Sequence, residues 1–184
     1  MIYGIIICFG DSLTYGSRDE YGLSFPNKIG MMLGTKQLWT SINLGVPGET
    51  TADMLRRSYR EVKLYPEAKE IILLAGTNDA KDNVPIEVFK ENYMSIIKDF
   101  IILGKRVYVC TIPLKKGFGS PGYLKNINNL IKEYNKFIRD FSPKQILIEL
   151  EDLPKEYFID GIHFNHKGNI EVARRIVEKI KEVR

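Results

Sequence analysis

Five short apolar runs, residues 2–9, 39–44, 71–75, 107–112 and 146–150, alternate with amphipathic segments at 25–33, 51–64, 85–103, 123–141 and 166–183. Gly, Pro or charged residues bound each run, as they bound buried strands. In the third amphipathic segment Phe89, Tyr93, Ile96, Ile97 and Phe100 recur at three- and four-residue steps, the stripe of a helix packed on a sheet. This alternation points to the α/β class, because parallel neighbours must be joined by right-handed helical crossovers that cover both faces of the sheet. The expected architecture is three-layer α/β/α, with a five-stranded parallel sheet of order 2-1-3-4-5. In that order strand 1 lies between strands 2 and 3, so the chain reverses direction there and opens a crevice at the strands' carboxyl ends.

Residues that carry chemistry fall at that crevice. Strand 1 stops at Gly10, Asp11, Ser12, Leu13 and Thr14, a tight polar turn that presents Ser12 at a strand end. The loops after strands 2 and 3 carry Gly45 and Gly48, then Gly76, Thr77, Asn78 and Asp79. A serine hydroxyl is a poor nucleophile until a base takes its proton, and a tetrahedral oxyanion needs donors already aimed at it. The amides of Ser12 and Gly48 and the side-chain amide of Asn78 are the expected donors. Pro47 before Gly48 favours a turn with positive φ at the glycine; Gly45 sits nearer the strand end and is the weaker candidate.

The base is expected from Asp160 and His163, three residues apart in a chain with only two histidines. They follow strand 5, which lies three strand spacings, about 14 Å, from strand 1. Residues 151–160 span up to about 33 Å when extended, so the return is easy. Asp160 can then fix the tautomer of His163 and stabilise its protonated form.

Composition narrows the alternatives. At 184 residues, 44% hydrophobic and 27% charged, the chain reads as a single globular domain over 1–184. No apolar stretch approaches the ~20 residues of a membrane span. The first run lacks a basic start and leads directly into the Ser12 turn, so it is not read as an export signal, and cytoplasmic residence is expected. Cys8 and Cys110 fall in apolar runs and are expected to be reduced core thiols; the strand order separates them by about 10 Å, too far for a disulfide. The formal charge of +4 comes from Lys and Arg interleaved with Glu and Asp, which argues against a nucleic-acid partner. Asp160, His163 and His166 invite a metal reading, but no further Cys or His cluster completes a site. Asn165 reads as the N-cap of the last helix, with His166 a solvated first-turn residue. Segments 15–24 and 112–122, the second rich in Gly and Pro, are expected to form a mobile, substrate-selecting rim.

Taken singly, each motif has a plain reading as a turn residue or a loop histidine; together and in order they resemble the GDSL or SGNH hydrolase family over the whole chain. Gly10 to Leu13 is similar to the family's first sequence block; Asn43, Gly45, Gly48 and Thr50 to the second; Gly76, Asn78 and Asp79 to the third; Asp160 and His163 to the last. The resemblance implies Ser12 as nucleophile, His163 as base, Asp160 as its partner, and an oxyanion hole of Ser12, Gly48 and Asn78 on a flavodoxin-like fold. Phe164 stands where many relatives carry proline or leucine, and Glu49 where they often carry aspartate; neither is expected to touch the chemistry. Members include lipases, lysophospholipases, thioesterases and carbohydrate deacetylases. The expected function is therefore a serine esterase or acylhydrolase acting on a small-molecule carboxylic ester or thioester, without a cofactor. A carbohydrate O-acetylesterase and a non-catalytic binding protein on the same fold are the alternatives, and acyl length and oligomeric state stay open.

Overall fold

Alternate residues of an inner strand, β1 (Tyr3–Gly10), feed two separate cores, as the two-residue period of a strand requires. In the computed structural model, which describes residues 3–34, 38–117, 119–144 and 146–184, Ile7 and Phe9 face one side of the sheet and Ile6 and Cys8 the other. The first side is covered by α3 (Thr51–Val62), α5 (Ile86–Ile102) and α6 (Pro121–Phe141), the second by α2 (Phe25–Leu33) and α7 (His166–Val183). Residue 2, the expected start of the first strand, lies outside the described residues.

The remaining strands are β2 (Leu38–Gly45), β3 (Glu70–Leu74), β4 (Arg106–Cys110) and β5 (Leu147–Ile148), all parallel and in the order 2-1-3-4-5. Register, more than order, decides where the loops leave the sheet. Gly10 pairs with Gly45 on one side and with Leu74 on the other, so β1, β2 and β3 end at one level. Two short helices begin there: α1 (Ser12–Tyr15) after β1 and α4 (Thr77–Lys81) after β3. Both are too short to show a hydrophobic period, so in the sequence they read as turns.

Three strands differ from the sequence expectation for identifiable reasons. The run at 39–44 reads as fully buried, yet β2 is an edge strand and alternates between half-buried and exposed. The last two runs are shorter as strands than as apolar stretches. The Thr111 hydroxyl accepts the amides of Leu150 and Glu151 at 2.7 and 3.1 Å, and the Asn135 side chain takes both the N–H and the C=O of Ile112 at 2.6 and 2.8 Å. Side chains thus replace the ladder where the chain turns away from the sheet. Helix ends follow the expected chemistry: Thr50 and Asp53 form a reciprocal capping box, and Asn165 caps α7 through the Gly168 amide.

Cys8 and Cys110 are both free and fully buried, and burial pushes both thiols up from their ordinary pKa. A buried thiol that resists ionisation is a poor nucleophile. Native protein is therefore expected to release no thionitrobenzoate from Ellman's reagent over minutes, and denatured protein two equivalents; a fast native equivalent would contradict the packing of β1 or β4.

Candidate active site

At the end of β1 the Asp11 side chain caps α1 by accepting the Leu13 amide at 2.9 Å, which makes Ser12 the first helical residue. The first amides of a helix have no intrahelical acceptor, so the Ser12 N–H is left available. The turn is held from below by Asn43 on β2. Its side-chain amide donates to the carbonyls of Thr14 and Tyr15 at 3.0 and 3.2 Å, and its oxygen accepts the Gly45 amide at 2.9 Å. That last bond occupies the Gly45 donor and leaves Gly48 as the free glycine of this loop, at φ 86° with open space where a Cβ would stand. An L side chain there would be strained rather than crowded.

Asn78, in α4, turns its Nδ2 to the Glu49 carbonyl at 2.9 Å. One N–H of the amide is thereby fixed and the second remains. Asp79 is fully buried and accepts the Thr51 amide at 2.9 Å, tying α4 to the start of α3. The loops after β1, β2 and β3 are thus joined by side-chain bonds that differ from strand pairing.

The last loop arrives from β5. An antiparallel bridge between Phe158 and Phe164, whose rings lie 5.5 Å apart, closes the turn that contains Asp160 and His163, with Gly161 at φ 82°. Asp160 Oδ1 accepts the amides of Ile162 and His163 at 2.9 and 2.8 Å, and Oδ2 lies 2.8 Å from His163 Nδ1. His163 Nε2 lies 3.1 Å from Ser12 Oγ. Burial acts to raise the Asp160 carboxyl, but the bonds from the His163 amide and ring and the Ile162 amide outweigh it and hold its pKa below the ordinary aspartate value. All five residues anticipated from the sequence stand at this end of the sheet, and three of them make one continuous chain of contacts.

Several neighbours are not anticipated by the sequence. Arg18 Nε lies 3.3 Å from Asp160 Oδ2. Asp19 accepts the amides of Tyr21 and Leu23 and the Asn169 side chain, and Asn169 in turn accepts the Phe25 amide at 2.9 Å. The rim segment 15–24 is therefore pinned to α7. His166, expected to be solvated, is packed against Tyr21 with ring centroids 4.7 Å apart and has Lys28 Nζ 3.5 Å from its Nδ1. Its neighbours are thus Tyr21, Lys28 and Asp19, and among the described residues no cluster of three His, Cys, Asp or Glu could hold a metal. The other rim, 112–122, is tethered through Asn128, which bonds the Lys115 N–H and C=O at 2.9 Å each, and through the Lys116 amide on the Gly161 carbonyl at 2.8 Å; Phe118 lies outside the described residues. Phe164, expected to be a neutral departure, pairs with Phe158 across the His163 turn, whereas Glu49 meets Asn78 through its backbone carbonyl, a contact that does not depend on its side chain.

A parallel 2-1-3-4-5 sheet with a serine at the end of its first strand and a histidine reaching it from the last loop defines the SGNH-hydrolase fold class. The lipase/acylhydrolase from Enterococcus faecalis is 27% identical over 97% of this chain and 96% of that chain, with a TM-score of 0.69. Psychrotrophic esterase EstA from Pseudoalteromonas sp., in a structure inhibited by monoethylphosphonate, is 18% identical over 97% of both chains at a TM-score of 0.74. A catalytic mutant of Axe2, an acetylxylan esterase from Geobacillus stearothermophilus, is 15% identical over 96% and 94% at 0.77, a likeness of fold. No curated protein matches the chain. The model of the GDSL-like Lipase/Acylhydrolase family matches residues 8–169, and the chain belongs to that family. It is accordingly a carboxylic ester hydrolase, and no helix among its described residues is long and apolar enough to cross a membrane.

Asp11 gives this site a measurable pH signature. The residue is fully buried, and its Oδ2 has no hydrogen-bond partner among the described residues. Burial, reinforced by Asp79 and opposed by the Leu13 amide, pushes its carboxyl up to about 7. A carboxyl whose folded pKa exceeds its unfolded value contributes stability that is fully present below the unfolded pKa, near 4, and lost as pH rises towards the folded one. Asp11→Asn keeps the capping oxygen and removes that loss. The variant is expected to gain on wild type by roughly 4 kcal/mol between pH 4 and pH 8, at about 1.4 kcal/mol for each tenfold change in proton affinity. Denaturant melts across that range check it, and a pH-independent difference would contradict it.

Proposed function

We propose that the protein is a serine esterase that cleaves small carboxylic esters or thioesters through an acyl-enzyme on Ser12. The observation that carries this reading is the unbroken line from Ser12 Oγ to His163 Nε2 at 3.1 Å and from His163 Nδ1 to Asp160 Oδ2 at 2.8 Å. With the ring proton held on Nδ1 by an ionised Asp160, Nε2 presents its lone pair to the serine hydroxyl. His163 takes the proton as Oγ attacks the carbonyl carbon, then gives it to the leaving alkoxide or thiolate. Water, activated by the same nitrogen, releases the acid and restores Ser12.

The tetrahedral oxygen is received by the Ser12 and Gly48 amides and by the Asn78 N–H that Glu49 leaves unused. Fixed donors of this kind need no reorganisation when charge develops. The loops that carry these groups also carry exposed apolar side chains: Tyr15 after Ser12, Val46 before Gly48 and Ile159 before Asp160. They favour an apolar acyl or alkyl group on the substrate, and so an esterase or thioesterase over a carbohydrate O-acetylesterase. The reading needs no cofactor, and the two unpaired thiols accord with a reducing cytoplasm.

Ser12→Ala is expected to lower kcat on 4-nitrophenyl esters by about 10⁴-fold or more while the thermal transition is kept, and EDTA is expected to leave wild-type activity unchanged. Retention of a tenth of the activity in the variant would remove Ser12 from the mechanism. A panel of acyl lengths from acetyl to palmitoyl, run beside acyl-CoA and acetylated xylan, identifies the substrate class; preference for the xylan would favour the sugar esterase.

A further inference from the structure

One buried guanidinium bonds the end of β1 and the loop after β2, and through Glu49 is linked to Asn78 in the loop after β3. Arg57 lies on the second turn of α3, and its side chain is only 6% exposed. Its Nη2 donates to the Gly10 carbonyl at 3.2 Å, two residues before the Ser12 amide. That carbonyl also accepts the Val46 amide at 3.0 Å, from the loop that leads to Gly48. Its Nε donates to Glu49 Oε2 at 2.7 Å. Glu49 follows Gly48 directly, and its own carbonyl is the acceptor that fixes Asn78 Nδ2. Beneath the guanidinium lies the ring of Phe9, 4.1 Å away, on the strand that carries the serine. The remaining Nη1 bonds Glu61 at 2.8 Å, a contact internal to α3.

We propose that Arg57 is a positioning residue for the oxyanion hole: it locks the loops after β1 and β2 to each other, and through Glu49 sets the direction of the Asn78 amide. The role rests on the esterase reading of Ser12. A planar fork suits the task because it holds a carboxylate and a carbonyl in one plane while its face stacks on an aromatic ring; a lysine ammonium supplies charge without that geometry. The geometry also explains why the cation is buried at all. Removing a guanidinium from water is costly unless it is paired and hydrogen-bonded, and here Glu49, Glu61 and Gly10 supply those partners. Misplacement of a catalytic donor by about 1 Å is enough to cost on the order of 10²-fold in rate.

A role through the oxyanion donors differs measurably from a purely structural staple. Arg57→Lys, Asn78→Ala and the double variant are to be compared on 4-nitrophenyl acetate, with Glu61→Gln as a control that neutralises a partner of Arg57 outside the three loops. Asn78→Ala is expected to lower kcat about 10²- to 10³-fold. Arg57→Lys is expected to lower kcat about 10- to 100-fold with KM changed less than about threefold. In the Asn78→Ala background the Arg57→Lys loss should shrink at least fivefold, because two residues that act on one group are non-additive. Glu61→Gln should stay within about threefold of wild type.

An equal Arg57→Lys factor in both backgrounds, an unchanged kcat in Arg57→Lys, or a Glu61→Gln loss as large as that of Arg57→Lys would overturn the positioning role. If Asn78→Ala keeps full kcat, the oxyanion reading itself fails and this proposal falls with it. Should Arg57→Lys not give a cooperative melt, Glu49→Gln, which weakens the same link with the guanidinium left in place, is read through the same cycle with the same criteria.

Discussion

Three parallel strands that end level with one another are the constraint on which the site depends. Because Gly10 is in register with Gly45 and Leu74, the loops after β1, β2 and β3 leave the sheet side by side, about 5 Å apart from neighbour to neighbour. A slip of one residue in either pairing would turn every side chain of the slipped strand to the opposite face and exchange the two cores. Ile6 and Cys8 would then meet α3 and α5, and Ile7 and Phe9 would meet α2 and α7. The fully buried side chains on both faces of β1 exclude that slip, and the same packing sets the height at which Ser12, Gly48 and Asn78 stand.

The proposed base, His163, comes from the far end of the chain, and local turn geometry brings it close enough to contact Ser12. The loop after β5 crosses back above the sheet and closes on the Phe158–Phe164 bridge, so the His163 ring is aimed by a buried aromatic pair as well as by Asp160. Asp160 gives one oxygen to two backbone amides and the other to the ring. A carboxylate held in that way stays ionised through the neutral range, which is the state a neighbouring imidazolium requires.

The strand order, the helices and the residues at the crevice are legible in the chain because they rest on period and on order. The apolar stripe of α5 and the Gly-Asp-Ser-Leu turn need no knowledge of distant neighbours. What is illegible is carried by polar side chains that serve backbone groups far away in sequence. Asn43, Asn128, Asn135 and Asn169 each reach the backbone of a loop or loop edge near the site, yet in sequence an asparagine reads as a turn or a cap. The tethering of segments 15–24 and 112–122 is invisible for that reason: the Gly of both and the Pro of the second report irregular backbone and say nothing of the amides that hold it. Arg57 is hidden likewise, since a basic residue on a helix reads as part of a solvated face. The half-exposed β2 reads as buried because hydrophobicity does not distinguish an edge strand from a central one.

The central claim, that Ser12 is a nucleophile activated by His163, is tested most directly by covalent capture. Protein treated with diethyl 4-nitrophenyl phosphate should release one equivalent of 4-nitrophenolate and gain one diethylphosphoryl group, which peptide mapping by mass spectrometry should place on Ser12, and His163→Ala should slow the reaction by orders of magnitude. Loss of esterase activity with Ser12 unmodified, or labelling of Ser12 at the same rate without His163, would contradict it.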